Sequence, residues 1–365
     1  MLKKLIVLVV LSFAGILPAS QHGMYVLAGK NIRQDIDSVG AKLLENVESN
    51  NFKVLNYYEL ATPDIVREKD EDKCKFRVKE IVFTSDDYIK MLTSYGNKYL
   101  VAAFFRIAVY ENPEGVQIVL ADPETINRII FNDLAEDDEA KYNEVINKTV
   151  SFKNDILSTI YGCKFGEKLN VMMEPIRDDD DLAEASKDMF MMVGPLTFFT
   201  DEDQFPQIFS ADASKNSVSG LVKTLKENMK HFSPTQDDIE YRYTKSKDVL
   251  KWKIIGEVES PDKNAVLLGI SRPRTEGLSF HIAGSSRESD ENLCPGIDHA
   301  AAYPIEVLII KENGKINIYT PREMFRMDMY FWDAGMSAFM NHMSMPGILD
   351  EAIKRALLGN MYKPE

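Results

Sequence analysis

The sequence predicts an α+β protein made of two duplicated small domains, each a β-sheet with a strand-turn-strand hairpin and helices packed on it. Three observations lead there. First, "RIAVYENPEGVQIVLADPETINR" (106–128) and "PIEVLIIKENGKINIYTPREMFR" (304–326) share one pattern: an apolar run, a turn of Glu, Asn and Gly, a second alternating run, a proline, and an arginine five positions later. Second, each copy ends in a helical stretch that stops at a glycine, 39 residues after Pro123 in the first (Gly162) and 38 after Pro321 in the second (Gly359). Third, 365 residues at 45% hydrophobic content are enough to bury two cores.

The first twenty residues, MLKKLIVLVVLSFAGILPAS, place Lys3 and Lys4 ahead of an apolar run and end in small residues with a proline. That is the pattern of a secretory signal peptide, too short to span a bilayer, with cleavage expected between Ala19 and Gln21. No later segment is apolar for long enough to be a membrane helix, so a periplasmic or secreted protein is expected. Residues 21–162 form the first repeat. Within it, residues 24–60 read strand, helix, strand, with Val39, Leu43, Leu44 and Val47 at helical spacing. The hairpin follows, with Val116, Ile118 and Leu120 on one face, and Pro123 suits the first turn of the next helix.

Residues 163–188, with "RDDDDLAEASKD", read as an acidic linker. Asp178 to Asp181 lack the spacing and turn glycine of a known calcium loop. The second repeat spans 189–365 and carries an insertion. "MFMMVGPLTFF" (189–199) suits its first strand and "VSGLVKTLKENMKHF" (218–232) its first helix; Ile316 and Ile318 mark its hairpin.

These stretches resemble the bacterial domain of unknown function 302 family. The residues that carry the resemblance are "NNFKVLNYYEL", "IAVYENPEGVQIVLADPETINRI" and the following helix in the first copy, and "VLLGISRPR" with "YPIEVLIIKENGKINIYTPREM" in the second. The resemblance covers about two-thirds of the chain and implies a small α+β domain in tandem. The first copy lacks the Gly-x-x-x-Pro pattern that "GISRP" (269–273) keeps, and "AGSSRESDENLCPGIDHAAA" is inserted in the second. The family carries no established activity, so the resemblance speaks to fold.

Composition narrows the partners. A formal net charge of −14, without a basic cluster, disfavours nucleic acid and anionic lipid surfaces. Three cysteines, Cys74, Cys163 and Cys294, allow at most one internal disulfide in an oxidising compartment. A structural bond, such as Cys74 with Cys163, and separately used thiols are both open readings. HExxH, GxSxG, phosphate-loop and GxGxxG motifs are all missing from the sequence.

Three functional classes remain. The leading one is a non-enzymatic binding or interaction protein whose ligand, a small molecule or a protein, the sequence does not name. The second is a soft-metal protein, because seven methionines and a histidine fall between 324 and 345. Thioether sulfur suits Cu(I) or Ag(I), and Met340, His342, Met343 and Met345 in "MNHMSMP" have the density such a site needs. The structural alternative is a buried stripe: on a helix over 336–343, Met336, Met340 and Met343 lie within about 60° of each other, with His342 on the flank. Pro346 would fray that helix at Met345. Met189, Met191 and Met192 would add to a methionine-rich interior able to line an apolar ligand pocket. The third class is an enzyme using His281, in an apparent strand "LSFHIAG", or His299 beside Cys294 in a loop, where a thiolate and its base are adjacent in sequence.

Overall fold

The computed structural model describes residues 20–66, 74–178, 182, 205–241, 246–287, 289 and 294–363. The signal-peptide stretch up to Ala19 and the methionine-rich segment 189–199 lie outside these described residues.

The first half runs β1 (Gln21–Ile32), α1 (Ile36–Ser49), β2 (Lys53–Glu59), β3 (Val78–Thr84), α2 (Asp86–Ser94), β4 (Phe105–Asn112), β5 (Gly115–Ala121), α3 (Pro123–Ile130), α4 (Asn132–Asp137), α5 (Glu139–Gly162) and β6 (Val171–Asp178). The Asp35 carboxylate accepts the Ser38 N–H at 2.9 Å and caps α1, whose buried face carries Ile36, Val39, Leu43 and Val47. Between β4 and β5 the chain turns at Gly115, where φ is +136° and a Cβ would come 2.9 Å from the Ile32 carbonyl. Glycine is needed there on both counts. Pro123 opens α3 as expected, with Asp122 as its cap.

The second half runs β7 (Gln207–Asp212), α6 (Val218–Lys230), α7 (Gln236–Glu240), β8 (Lys253–Glu259), β9 (Ala265–Ser271), α8 (Pro273–Gly284), β10 (Ile305–Glu312), β11 (Lys315–Tyr319), α9 (Glu323–Phe331), α10 (Met336–Asn341) and α11 (Met345–Leu358). Gly359, at φ +51°, ends α11 where the sequence places the stop.

The strands make two antiparallel sheets, ordered β2-β3-β4-β5-β1-β6 and β8-β9-β10-β11-β7. Apart from β6, the two orders correspond strand for strand. The halves also exchange equivalent pieces. The short 3-10 segment Asn97–Ala102, just before β4, packs on β9 and β10, while its counterpart Pro295–Ala302, just before β10, packs on β3, β4 and β5.

One continuous apolar core therefore runs through both sheets. Strand β9 is buried at every position and β4 at its first six. With both faces covered, these central strands carry apolar residues in succession instead of in alternation, Arg106 of β4 being the charged exception.

Several sequence expectations need correction. The 163–188 stretch is not wholly a linker, because Val171–Asp178 pairs antiparallel with β1 at the edge of the first sheet. Asp178 ends that strand, and Asp179 to Asp181 lie outside the described residues. Among the described residues the first strand of the second half is Gln207–Asp212, beside β11, later in the chain than 189–199. "LSFHIAG" is helical, since Pro273 starts α8 and ten of its twelve residues are buried, which erases the amphipathic period. Finally, Cys74 bonds Cys294 across 220 residues, with Cα atoms 5.2 Å apart, while Cys163 is buried and unpaired. The pairing is set by tertiary contact between the halves, which sequence spacing does not encode.

Candidate functional site

The polar groups that chemistry would use lie where the halves meet. Arg106, second residue of β4, forms an ion pair with Glu306, second residue of β10, and donates to the Tyr330 hydroxyl of α9 at 2.7 Å. Both charges are buried. Burial would lower the Arg106 pKa, but Glu306, Tyr330 and Glu80 outweigh it and hold the guanidinium charged. Beside it on β3, Glu80 is wholly enclosed and accepts the Tyr58 hydroxyl at 2.5 Å. Burial pushes its carboxyl well above the usual range.

Arg326 of α9 donates to Glu323 at 3.1 Å and to the Ala302 carbonyl at 2.7 Å, and lies 5.0 Å from the Tyr303 ring centroid. Glu276 of α8 accepts from Ser271 in its own half and from the Ala61 N–H of the other, at 2.5 and 2.8 Å. The sequence signal for this network was present but weak. It consists of isolated charges inside apolar strands, Arg106 in FFRIAVY and Glu306 in PIEVLII, and of Glu80 beside Lys79 in VKEIVF.

A second group surrounds His299. Its Nδ1 bonds Asp298 at 2.5 Å and its Nε2 bonds Asp333 at 2.9 Å. Arg287 holds Asp298 through two contacts of 2.6 and 3.1 Å. Burial would lower the imidazole pKa, but the two carboxylates overcome it and raise it to about 9. His299 is thus an imidazolium with both N–H groups committed, which cannot take a proton from a nucleophile. Cys294, the nucleophile imagined beside it, is in the disulfide. The Cys294–His299 pairing read from sequence proximity therefore does not form.

The late methionines divide. Met340 and Met343 are 54% and 47% exposed, whereas Met345 is fully enclosed and His342 is 4% exposed. The stripe expected on one helix is inverted because α10 stops at Asn341, His342 to Ser344 form a turn, and Met345 starts a new helix. Pro346, expected to fray this point, sits in the first turn of α11. The Met336 side chain is outside the described set. The structure also brings in a residue the sequence did not group here: the His281 ring is 5.9 Å from that of His342, at 78°. Among the described residues no cluster of three or more His, Cys, Asp or Glu is arranged to hold a metal.

No family model matches the chain, and no curated protein is similar to it. A solved structure, described as that of an uncharacterized conserved DUF302 protein from Bacillus stearothermophilus, is similar over 39% of this chain and 97% of that one, with a TM-score of 0.27 and 10% sequence identity. Independently of that likeness, the chain is an α+β protein with two antiparallel sheets. Among the described residues no helix is long and apolar enough to cross a membrane.

Proposed function

We propose that the protein is an exported, non-enzymatic binding or interaction protein, built as two copies of one unit fused into a single-chain pair. One observation carries the reading: the reactive groups are spent on assembly. Cys294 joins the halves covalently, His299 lies between two carboxylates, and Arg106 pairs with Glu306. Tandem origin is supported by the corresponding strand orders and by the exchanged segments before β4 and β10. Export to the periplasm or beyond is supported by the leader and by a disulfide of a kind that persists in oxidising compartments. Apolar side chains at the surface, Val171 and Met172 on β6 with Trp332, Met340 and Met343, give a ligand or partner something to bind.

The test is a panel of hydrolase and oxidoreductase assays on the mature protein beside His299→Gln and His281→Gln. Equal background rates in all three are expected. Turnover by the unaltered protein that disappears in either variant would overturn the reading. Intact mass and non-reducing peptide mapping of exported material should show a chain starting at residue 20 or 21, with the Cys74–Cys294 bond formed.

A further inference from the structure

We propose that the N-terminus of α8, with the guanidinium of Arg274, is a binding site for a small monovalent anion of the halide class. This site adds to the binding reading and does not depend on it. Helix α8 begins at Arg272, whose side chain makes no capping bond, followed by Pro273, which has no N–H. Glu276 donates the first intrahelical bond, to the Arg272 carbonyl at 3.2 Å, so the Arg274 and Thr275 N–H groups have no acceptor within the helix. An uncapped helix start of this kind attracts negative charge.

The side chains around that turn carry more positive charge than negative. Arg272 folds over it: Nε donates to the Thr275 hydroxyl and both Nη groups to the Asp238 carboxylate of α7, all at 2.8 Å, and the guanidinium lies 4.7 Å from the Trp252 ring centroid. Asp238 is thereby committed to Arg272. Arg274, 1% exposed, reaches the next residue of α7, where Nη1 donates to the Ile239 carbonyl across a long 3.4 Å. Its Nη2 and the Trp252 Nε1 are enclosed donors without an acceptor among the described residues. Burial lowers the Arg274 pKa to about 10 against the pull of Asp238, and repulsion from Arg272 adds to the fall, which puts this guanidinium beside the Arg272–Asp238 pair and still charged at neutral pH. Glu276, the acid of the same turn, is held by Ser271 and the Ala61 N–H instead.

Charge and room define the ligand. Arg272, Arg274 and Asp238, all buried, leave a single positive charge unbalanced, in a protein whose formal net charge is −14. An enclosed charge without a partner is destabilising, and one monovalent anion balances it, whereas a doubly charged phosphate or sulfate would overshoot. Because the Arg274 Nη2 is enclosed, the ligand is about the size of a water molecule, which suits chloride or bromide better than an organic acid.

The experiment is urea unfolding of the full mature chain in mixtures of sodium chloride and sodium gluconate at one ionic strength, which holds screening constant. Gluconate is too large for an enclosed site. Each tenfold rise in chloride above its dissociation constant should raise the folding equilibrium constant about tenfold, the slope of one bound ion. Arg274→Met should lose that slope and, in gluconate alone, be at least as stable as the unaltered protein, because it no longer encloses an unbalanced charge. Bromide anomalous diffraction from crystals of the unaltered protein, independent of any variant's folding, should place an ion in contact with the Arg274 Nη2. Equal stability of the unaltered protein in chloride and gluconate, a slope that survives Arg274→Met, an Arg274→Met protein less stable than its parent in gluconate, or bromide bound only elsewhere refutes the site.

Discussion

Replacing Glu306 by leucine removes the acid that balances Arg106 and leaves a guanidinium in the interior between the sheets. Arg106 is 2% and Glu306 6% exposed, so solvent does little to compensate. Breaking a buried pair by removing one partner costs about 3 to 5 kcal/mol, whereas replacing both partners with apolar groups of similar size is often neutral or stabilising. Arg106→Met should therefore destabilise by a similar amount, and Arg106→Met/Glu306→Leu by far less than the two single costs combined. Urea unfolding followed by far-ultraviolet circular dichroism and by fluorescence of Trp252 and Trp332 measures all three variants. The coupling energy expected from the cycle is several kcal/mol, comparable with a single loss of about 3 to 5. Single costs below about 1 kcal/mol, or a double variant equal to the sum of its parents, would refute the view that this pair acts as one buried interaction.

Other consequences follow from the same interior. His299 has a folded pKa raised to about 9, so the stability it contributes is complete below its unfolded value near 6.5 and is lost as pH rises through about 9; His299→Phe should abolish that part of the pH dependence in urea titrations from pH 6 to 10. Asp350, half-buried and accepting the Glu323 N–H at 2.8 Å at the start of α9, is raised to about 7, chiefly by the desolvation of its carboxylate. Its neutral form is favoured in the fold, so stability falls as pH rises between about 3.8 and 7, and Asp350→Asn should be the more stable protein at pH 8. The Cys74–Cys294 bond closes a loop with a sequence separation of 220 residues, for which chain entropy predicts about 5 kcal/mol; Cys74→Ser/Cys294→Ser should lower the urea midpoint accordingly, and the unaltered protein, unfolded, should titrate one thiol, Cys163. At Gly296 a Cβ would sit 1.9 Å from the Phe280 carbonyl, so Gly296→Ala should destabilise by at least about 2 kcal/mol in the same assay, while Gly347→Ala, with open space around it, should stay within about 0.5.

What could be read from sequence was what local chemistry decides. The second hairpin turns at Asn313 and Gly314, at φ 48° and 75°, the first at Gly115, at φ 136°, and α11 ends at Gly359 for the same reason. Strand β6 was hidden because Pro175 and Glu174 interrupt its apolar run and its partner, β1, is about 150 residues earlier. His281 was placed on a strand because a helix buried on nearly every side has no apolar stripe to betray its period. The interface charges were visible as letters, but nothing local says that Arg106 will meet Glu306, since their strands belong to different sheets. The late methionines failed as a single set for a similar reason: one continuous helix was the simplest local reading, and a turn after Asn341 separates buried from exposed members.

If the polar groups between the halves serve assembly, as proposed, the protonation state of His299 decides the matter. Nitrogen-15 NMR of the histidine side chains, followed from pH 5 to 10, reports the protonation of each ring nitrogen. His299 is expected to keep both nitrogens protonated at pH 7.5 and to lose a proton only near pH 9. A His299 that titrates near its ordinary value of about 6.5, with one nitrogen free to accept a proton at pH 7.5, would contradict it and reopen the case for catalysis.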